Sequence, residues 1–450
     1  PLAAHFSAIT RCGQRHSLRR LHRRRGCTRR LGRVIAGTPY MPESVSGIFG
    51  VIVLFAIAVA LSTNRRAISL RIVLSAFAVQ VGIAVLVMHL PWGRAVIDAM
   101  SSGITQLLAY SQAGISMVFG PLASIEENGV IFAVVVLPVI VFFASLMSVL
   151  YYIGVMQWVV AGLGRVLHWV LGTGRVESLN ASANIFVGQT EAPLVVRPYL
   201  MGLTQPQLFA VMTSGLASVA GSVLAAYAQM GIPVEYLLAA SFMSAPGGLL
   251  MAKLIMPDSK DDTEAQDLIQ IKLPQDKHSN VIMAAAIGAK DGMNLALNVG
   301  AMLIAFVSLI ALMNGLLGGA AGLIGIEGLT IQSILGWVFA PLMYVLSIPW
   351  AEAQAAGAIL GEKIILNEFV AYLTLTGVED QFSPRTLAIL TFALCGFANL
   401  SSVGILLGGL GSLIPDRMGD IARFGLRAVA AGTLSNLMSA AIAGILFVAG

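Results

Sequence analysis

Charge is the scarce commodity in this chain. Only 11% of its 450 residues are Asp, Glu, Lys or Arg, where soluble domains carry about 25%. Cysteine is scarcer still. Cys12, Cys27 and Cys395 form no metal-ligand or disulfide spacing, and two of them sit within the first 40 residues. There is no HExxH, no GxSxG and no phosphate-binding glycine loop, and the few histidines stand far apart. A nucleophile paired with a base has no obvious source, so an enzyme is not expected.

What fills the space is apolar. Hydrophobic residues make up 57% and the mean hydropathy is +0.85. The apolar runs are about 20 residues long and rich in small residues and Gly, which suits transmembrane helices and not the alternation of a membrane barrel. The sequence is that of an all-α polytopic membrane protein. Net charge is +5, but residues 1–40 hold ten Arg and no acid, which leaves 5 − 10 = −5 for the remainder. That segment has no initiating Met and precedes Met41 and a clean apolar run, so it is expected to lie outside the mature protein.

In chain order, Ile48–Leu61 and Leu70–Leu90 read as spans. Arg65, Arg66 and Arg71 between them place that turn in the cytoplasm and Met41 outside. Arg94–Leu122 carries Asp98, Gln106, Ser111 and Gln112 at helical spacing and reads as an interfacial amphipathic helix. Val130–Val155 is a span with a kink expected at Pro138. Leu208–Met230 is uncharged and sets Ser214, Ser218 and Ser222 on one helical face. Leu237–Ile255 is expected to be interrupted at Ser244–Gly248. Pro257–Asn280, with six acids and three lysines, is a solvated loop dividing the chain into halves. Ile282–Leu317 is expected to supply a surface helix and a span. Ile331–Pro349 reads as a helical hairpin, Thr386–Leu407 as a span with a polar middle, and Ala428–Val448 as the last helix.

Two polar stretches stand out. Asn180–Leu194, NASANIFVGQTEAPL, is polar at its centre and stopped by Pro193; Gly361–Tyr372, GEKIILNEFVAY, places Glu368 in an apolar setting. A carboxylate between membrane segments is expensive and marks a substrate or ion site by default. Each half offers a Glu near an Asn (Asn184 with Glu191, Asn367 with Glu368), followed by a span with a polar middle. Paired interrupted segments of this kind point to a midplane transporter site between inverted repeats. Gln189, Thr190, Glu191, Glu368, Asn399 and Ser402 suit a neutral, polyhydroxylated or heterocyclic molecule: carboxylates accept from a diol, and Gln reads donor–acceptor pairs. Asn184, Ser218 and unwound carbonyls offer hard oxygen ligands for sodium. A gated pore and a sodium/proton antiporter using Glu191 and Glu368 are the competing readings. Rings of like charge are missing, which counts against the pore.

GQTEAPL at 188–194, GxKxxxNEFVAY at 361–372 and FANLSS at 397–402 resemble the concentrative nucleoside transporters, and the similarity runs from Met41 to the C-terminus. The resemblance implies about eight transmembrane helices with two re-entrant hairpins and interfacial helices, and an inverted-repeat transport domain moving as an elevator against a scaffold. It implies a homotrimer in the inner membrane, importing nucleosides such as uridine, with sodium as the coupling ion and no cofactor or nucleic acid. Residues 41–177 and 281–329 are then scaffold and interfacial elements, 178–256 and 330–410 the hairpin-bearing transport segments, and 411–450 the C-terminal helix. The nucleobase would meet Gly188, Gln189, Thr190, Glu191 and Val223, and the ribose Glu368, Asn399, Ser402 and Phe397. Sodium would sit on the Asn184 and Ser218 side chains and the carbonyls of Val187 and Val219. Some relatives use protons and lack the Asn; its presence at 184 favours sodium.

Overall fold

A computed structural model describes residues 43–259, 279–323, 325–326 and 328–447. The Arg-rich segment 1–40 and most of the hydrophilic loop 257–280 lie outside the described residues. Regular structure among the described residues is entirely helical. Among the described residues six helices are long and apolar enough to cross a membrane, or seven if one bent pair counts as a single span.

The first helices are α1 (Glu43–Ala60), α2 (Leu70–Met88) and α3 (Pro91–Phe119). Pro91 at the start of α3 supplies a preset φ where its missing N–H costs nothing. α3 buries only a narrow stripe, Gly93, Ile97, Ser101, Ser111 and Ile115, as its amphipathic pattern requires. The next span breaks at Val136, so that Pro138 enters the first turn of α4 (Leu137–Tyr152). α5 (Val155–Leu171) and α6 (Arg175–Ala183) follow. A domain boundary at residue 178 would fall inside α6, and one at 410 inside α15 (Ser401–Leu413).

The uncharged span after α6 is not one helix. It runs as α7 (Gln205–Ala217) and α8 (Gly221–Gln229), with Ser218 and Ala220 extended between them. The three serines therefore do not share a helical face. α9 (Val234–Ile255), by contrast, continues through Ser244–Gly248 with Pro246 inside it. Packing holds this stretch: a Cβ on Gly247 would lie 2.6 Å from both Gln80 Nε2 and Ser435 Oγ, and one on Gly248 3.1 Å from Ser214 Cα. The glycines expected to break the helix instead let three neighbours approach it.

α10 (Val281–Gly322) is a single helix of 42 residues rather than a surface helix followed by a span. At 1.5 Å per residue it is about 63 Å long, roughly twice the ~30 Å hydrocarbon thickness. It lies against α4 through Ala284, Gly288, Gly292 and Ala296 at four-residue spacing. Ser145 and Ser148 donate to the carbonyls of Ala285 and Ala284 at 2.9 and 2.8 Å.

The second half comprises α11 (Ile331–Val345), α12 (Trp350–Ile365), α13 (Glu368–Gly377), α14 (Pro384–Leu394), α15 and α16 (Met418–Leu446). α11 and α12 meet at 119°, the turn passing through Ser347 with φ +74°. Ile331–Pro349 is thus not itself a hairpin. It is one helix and a bend, and the tip that carries Glu368 is Leu366–Asn367, between α12 and α13.

The two halves share an order of elements. α5, α6, an unwound tip, two short helices, the broken pair α7/α8 and α9 are echoed by α11, α12, the tip, α13, the broken pair α14/α15 and α16. The spans containing α7/α8 and α9 have 94% of their most apolar stretch buried, against 11% for α10, so the broken pair α7/α8 and α9 form the centre and α10 the periphery.

Candidate substrate and sodium site

The first tip is built from an unusually polar buried helix. Every residue of α6 from Val176 to Ala183 is buried. Asn180 donates to Ser214 Oγ at 2.9 Å, and Asn184, where the helix ends, donates to Asn180 O at 3.0 Å. Ser214 is therefore a ligand of the tip, beyond the packing role that small residues on its helix would suggest. From Asn184 to Glu191 the backbone is unwound. It docks onto the break between α7 and α8, where Gly221 N donates to Phe186 O at 2.9 Å. Gly215 allows the approach: a Cβ there would stand 3.0 Å from Gln189 Cβ.

The second tip mirrors this construction. Asn367 caps α13, accepting from Val370 N at 2.9 Å. Residues Cys395–Leu400, between α14 and α15, are unwound. Leu400 N donates to Ile364 O at 3.0 Å. Asn399 Oδ1 accepts from Ser402 N at 2.9 Å and from Ser401 Oγ at 2.7 Å, which fixes the start of α15. The two breaks also touch, with Phe397 N donating to Ser218 O at 3.1 Å.

Between these pieces lies a cavity of about 1030 Å³. Every side chain assigned to nucleobase or ribose from the sequence lines it: Gln189, Thr190, Glu191 and Val223 from the first half, Glu368, Phe397, Asn399 and Ser402 from the second, with Gly188 beside them. Glu191 is open to the cavity, whereas Gln189, Glu368, Asn399 and Ser402 are buried in its wall. Gln189 Oε1 has no hydrogen-bond partner among the described residues. A buried amide oxygen left unpaired costs stability unless something binds it.

The residues assigned to sodium group separately. Val187 lines the cavity, while Asn184, Ser218 and Val219 lie behind it, each at most 1% exposed. Asn184 Oδ1 is buried without a partner among the described residues. It sits over Gly215, where a Cβ would come within 3.6 Å of it. Among the described residues Ser218 Oγ bonds only Gly215 O, at 3.3 Å, leaving its lone pairs available. The donor set is neutral and all oxygen, which suits a hard monovalent cation.

Three groups escaped the sequence reading. Tyr227, on α8, donates to Glu368 Oε1 at 3.0 Å and stacks edge-on to Phe369 at 4.8 Å. A phenol in an uncharged span was its only signal. Asn436, on α16, donates to Ala217 O at 2.7 Å and Cys395 O at 2.9 Å, bridging the two breaks. Lys253 and Glu177 pair at the foot of α6, and Lys253 also meets Asp258 at 2.6 Å. Lys363, the one basic residue beside the second cluster, points away from the cavity to Asn436. His168 is turned to Thr173 O and is no part of the site.

Sequence profiles described as the N-terminus and C-terminus of Na+ dependent nucleoside transporters match residues 49–122 and 236–444. One described as nucleoside recognition matches 133–234. The nucleoside permease NupC of Helicobacter pylori is 50% identical over 413 residues, spanning 90% of this chain and 98% of that protein. The chain belongs to the family of Na+-dependent nucleoside transporters. An uncharacterized transporter of Haemophilus influenzae is 53% identical over 412 residues, 89% of this chain and 97% of that one. Among solved structures, CNTnw in an inward-facing, substrate-bound state is similar at a TM-score of 0.85 and 51% identity, over 90% of this chain and 98% of the other. This nucleoside transporter is a multi-pass membrane protein and not an enzyme. The matching profiles and the permease describe nucleoside transport, not a pore or an antiporter.

Proposed function

We propose that the chain is a sodium/nucleoside symporter whose substrate spans the two hairpin tips, with uridine among its substrates. The carrying observation is the joint placement of Glu368, Asn399 and Gln189 around one cavity while an unpartnered Asn184 Oδ1 lies just behind it. Glu368 accepts from the ribose hydroxyls, held by Asn399 and Tyr227; Ser402 and Phe397 complete that side. Gln189, Thr190, Glu191 and Val223 meet the base, where Gln189 Oε1 gains the partner it lacks. Sodium binds Asn184, Ser218 and the carbonyls of Val187 and Val219. Filling that site stiffens the tip that carries Gln189, which couples ion to substrate.

The same reading makes α6–α9 and α11–α16 a transport unit of two inverted repeats with two re-entrant hairpins. α1–α5 and α10 are then scaffold in an eight-span, trimeric assembly in the inner membrane, against which the unit moves as an elevator. The contrast between the buried broken helices and the exposed α10 supports this division, as does the matching order of elements in the two halves.

Uridine uptake into proteoliposomes tests the proposal. Accumulation above the outside concentration under an inward sodium gradient is the expected result. Equal accumulation under a pH gradient alone would transfer the coupling to protons, and no uridine movement under either gradient would overturn the substrate.

A further inference from the structure

Lys363 is buried completely, on α12, one turn before the second tip. Its ammonium makes no ion pair among the described residues. An unpaired charge at that depth is retained only where other groups replace its hydration. Here those groups are oxygens: Nζ donates to Ala393 O at 3.2 Å and to Asn436 Oδ1 at 2.8 Å. Ala393 is in the last turn of α14, so the ammonium stands at the negative end of that helix, where carbonyls lack intrahelical partners.

The corresponding place in the first half is the end of α7. There the hairpin helix α6 delivers not a cation but Asn184, whose Oδ1 has no partner. Asn436 joins the two places. Its Oδ1 accepts from Lys363, and its amide donates to Ala217 O, at the end of α7, and to Cys395 O, just past the end of α14. Gly396 admits the bridge, since any Cβ there would collide with the Asn436 amide.

We propose that Lys363 is a resident cation: its ammonium occupies at the end of α14 the place that the coupling sodium takes at the end of α7. The second break therefore binds no ion of its own. Lys363 is a positioning residue that holds the Cys395–Leu400 segment, and with it Asn399, through Asn436. This inference rests on the sodium assignment at Asn184 made above.

Two substitutions separate a cation's role from a packing role. Lys363→Met is neutral and fills the space; Lys363→Ala is neutral and opens it. Uridine Kd is measured by calorimetry on purified protein across a sodium series, with N-methylglucamine holding ionic strength constant. Wild type should show hyperbolic sodium dependence. Lys363→Met should bind uridine at least tenfold more weakly at every sodium concentration. Lys363→Ala should be as weak at low sodium but recover at high sodium along a sigmoidal curve, a second ion entering the vacated place. A loss in Lys363→Ala with Lys363→Met near wild type would reduce Lys363 to packing, equal losses in both with an unchanged curve shape would overturn the exchange of ammonium for sodium, and a Kd within threefold of wild type in both would remove any role.

Melting temperature provides a second readout that needs no nucleoside. Sodium should stabilise Lys363→Ala more than it stabilises wild type, and equal stabilisation overturns the proposal even if Lys363→Met does not fold. Should wild-type uridine binding prove independent of sodium, the Asn184 assignment fails, and the melting comparison still decides on Lys363.

Discussion

Asn399 donates its amide to Glu368 Oε2 at 3.1 Å, although 31 residues and two helix breaks separate them. The other carboxylate oxygen accepts from Tyr227 at 3.0 Å. Both oxygens are thus oriented before any substrate arrives, and each keeps a lone pair for a hydroxyl. Such preorganisation spares the substrate the cost of ordering the site.

Glu368→Gln replaces an acceptor-only carboxylate with an amide and removes a charge-assisted bond worth roughly 1.5–3 kcal/mol. Uridine Kd should rise by about ten- to a hundredfold. Tyr227→Phe removes one orienting bond and should cost about tenfold. Calorimetry with uridine at saturating sodium measures both, and unchanged affinity in Glu368→Gln would refute the ribose assignment.

Asn184→Ser shortens the side chain that presents the unpartnered oxygen. The sodium concentration for half-maximal uptake should rise severalfold, while uridine affinity at saturating sodium stays within about twofold. An unaltered sodium activation curve would exclude Asn184 as a ligand.

Glu191→Ala should damage base selection more than sugar selection. Competition against labelled uridine separates the two: nucleosides with altered bases should lose their discrimination, and ribose-modified analogues should keep theirs. Equal loss for both classes would move Glu191 away from the base.

Lys253→Met leaves Glu177 buried at 1% exposure without its cation. Breaking a buried pair from one side costs about 3–5 kcal/mol. The melting temperature should drop, and Glu177→Gln added to Lys253→Met should restore part of the loss. No recovery in the double variant would mean that Lys253 acts mainly through Asp258.

Residue types and their spacing along the chain were enough for the membrane class, the amphipathic α3, the break before Pro138 and the two polar tips. Each of these follows from local chemistry: charge is costly in hydrocarbon, Pro removes a donor, and a helix with one polar face lies at a boundary. The candidate site was legible as well, because GQTE, NEF and FANLSS are the polar interruptions in otherwise apolar runs. Other features were decided by distant partners. Pro246 and its glycines read as a break, yet α9 runs on because Gln80, Ser214 and Ser435 close around it. The serine stripe read as one helix face, yet the chain opens at Ser218, where the backbone bonds Phe186 and Phe397 instead. Asn436 carried no local signal; its amide matters because three helix ends meet it. Backbone groups freed at a break must find partners somewhere, and only the assembled fold determines which side chains stand close enough to provide them.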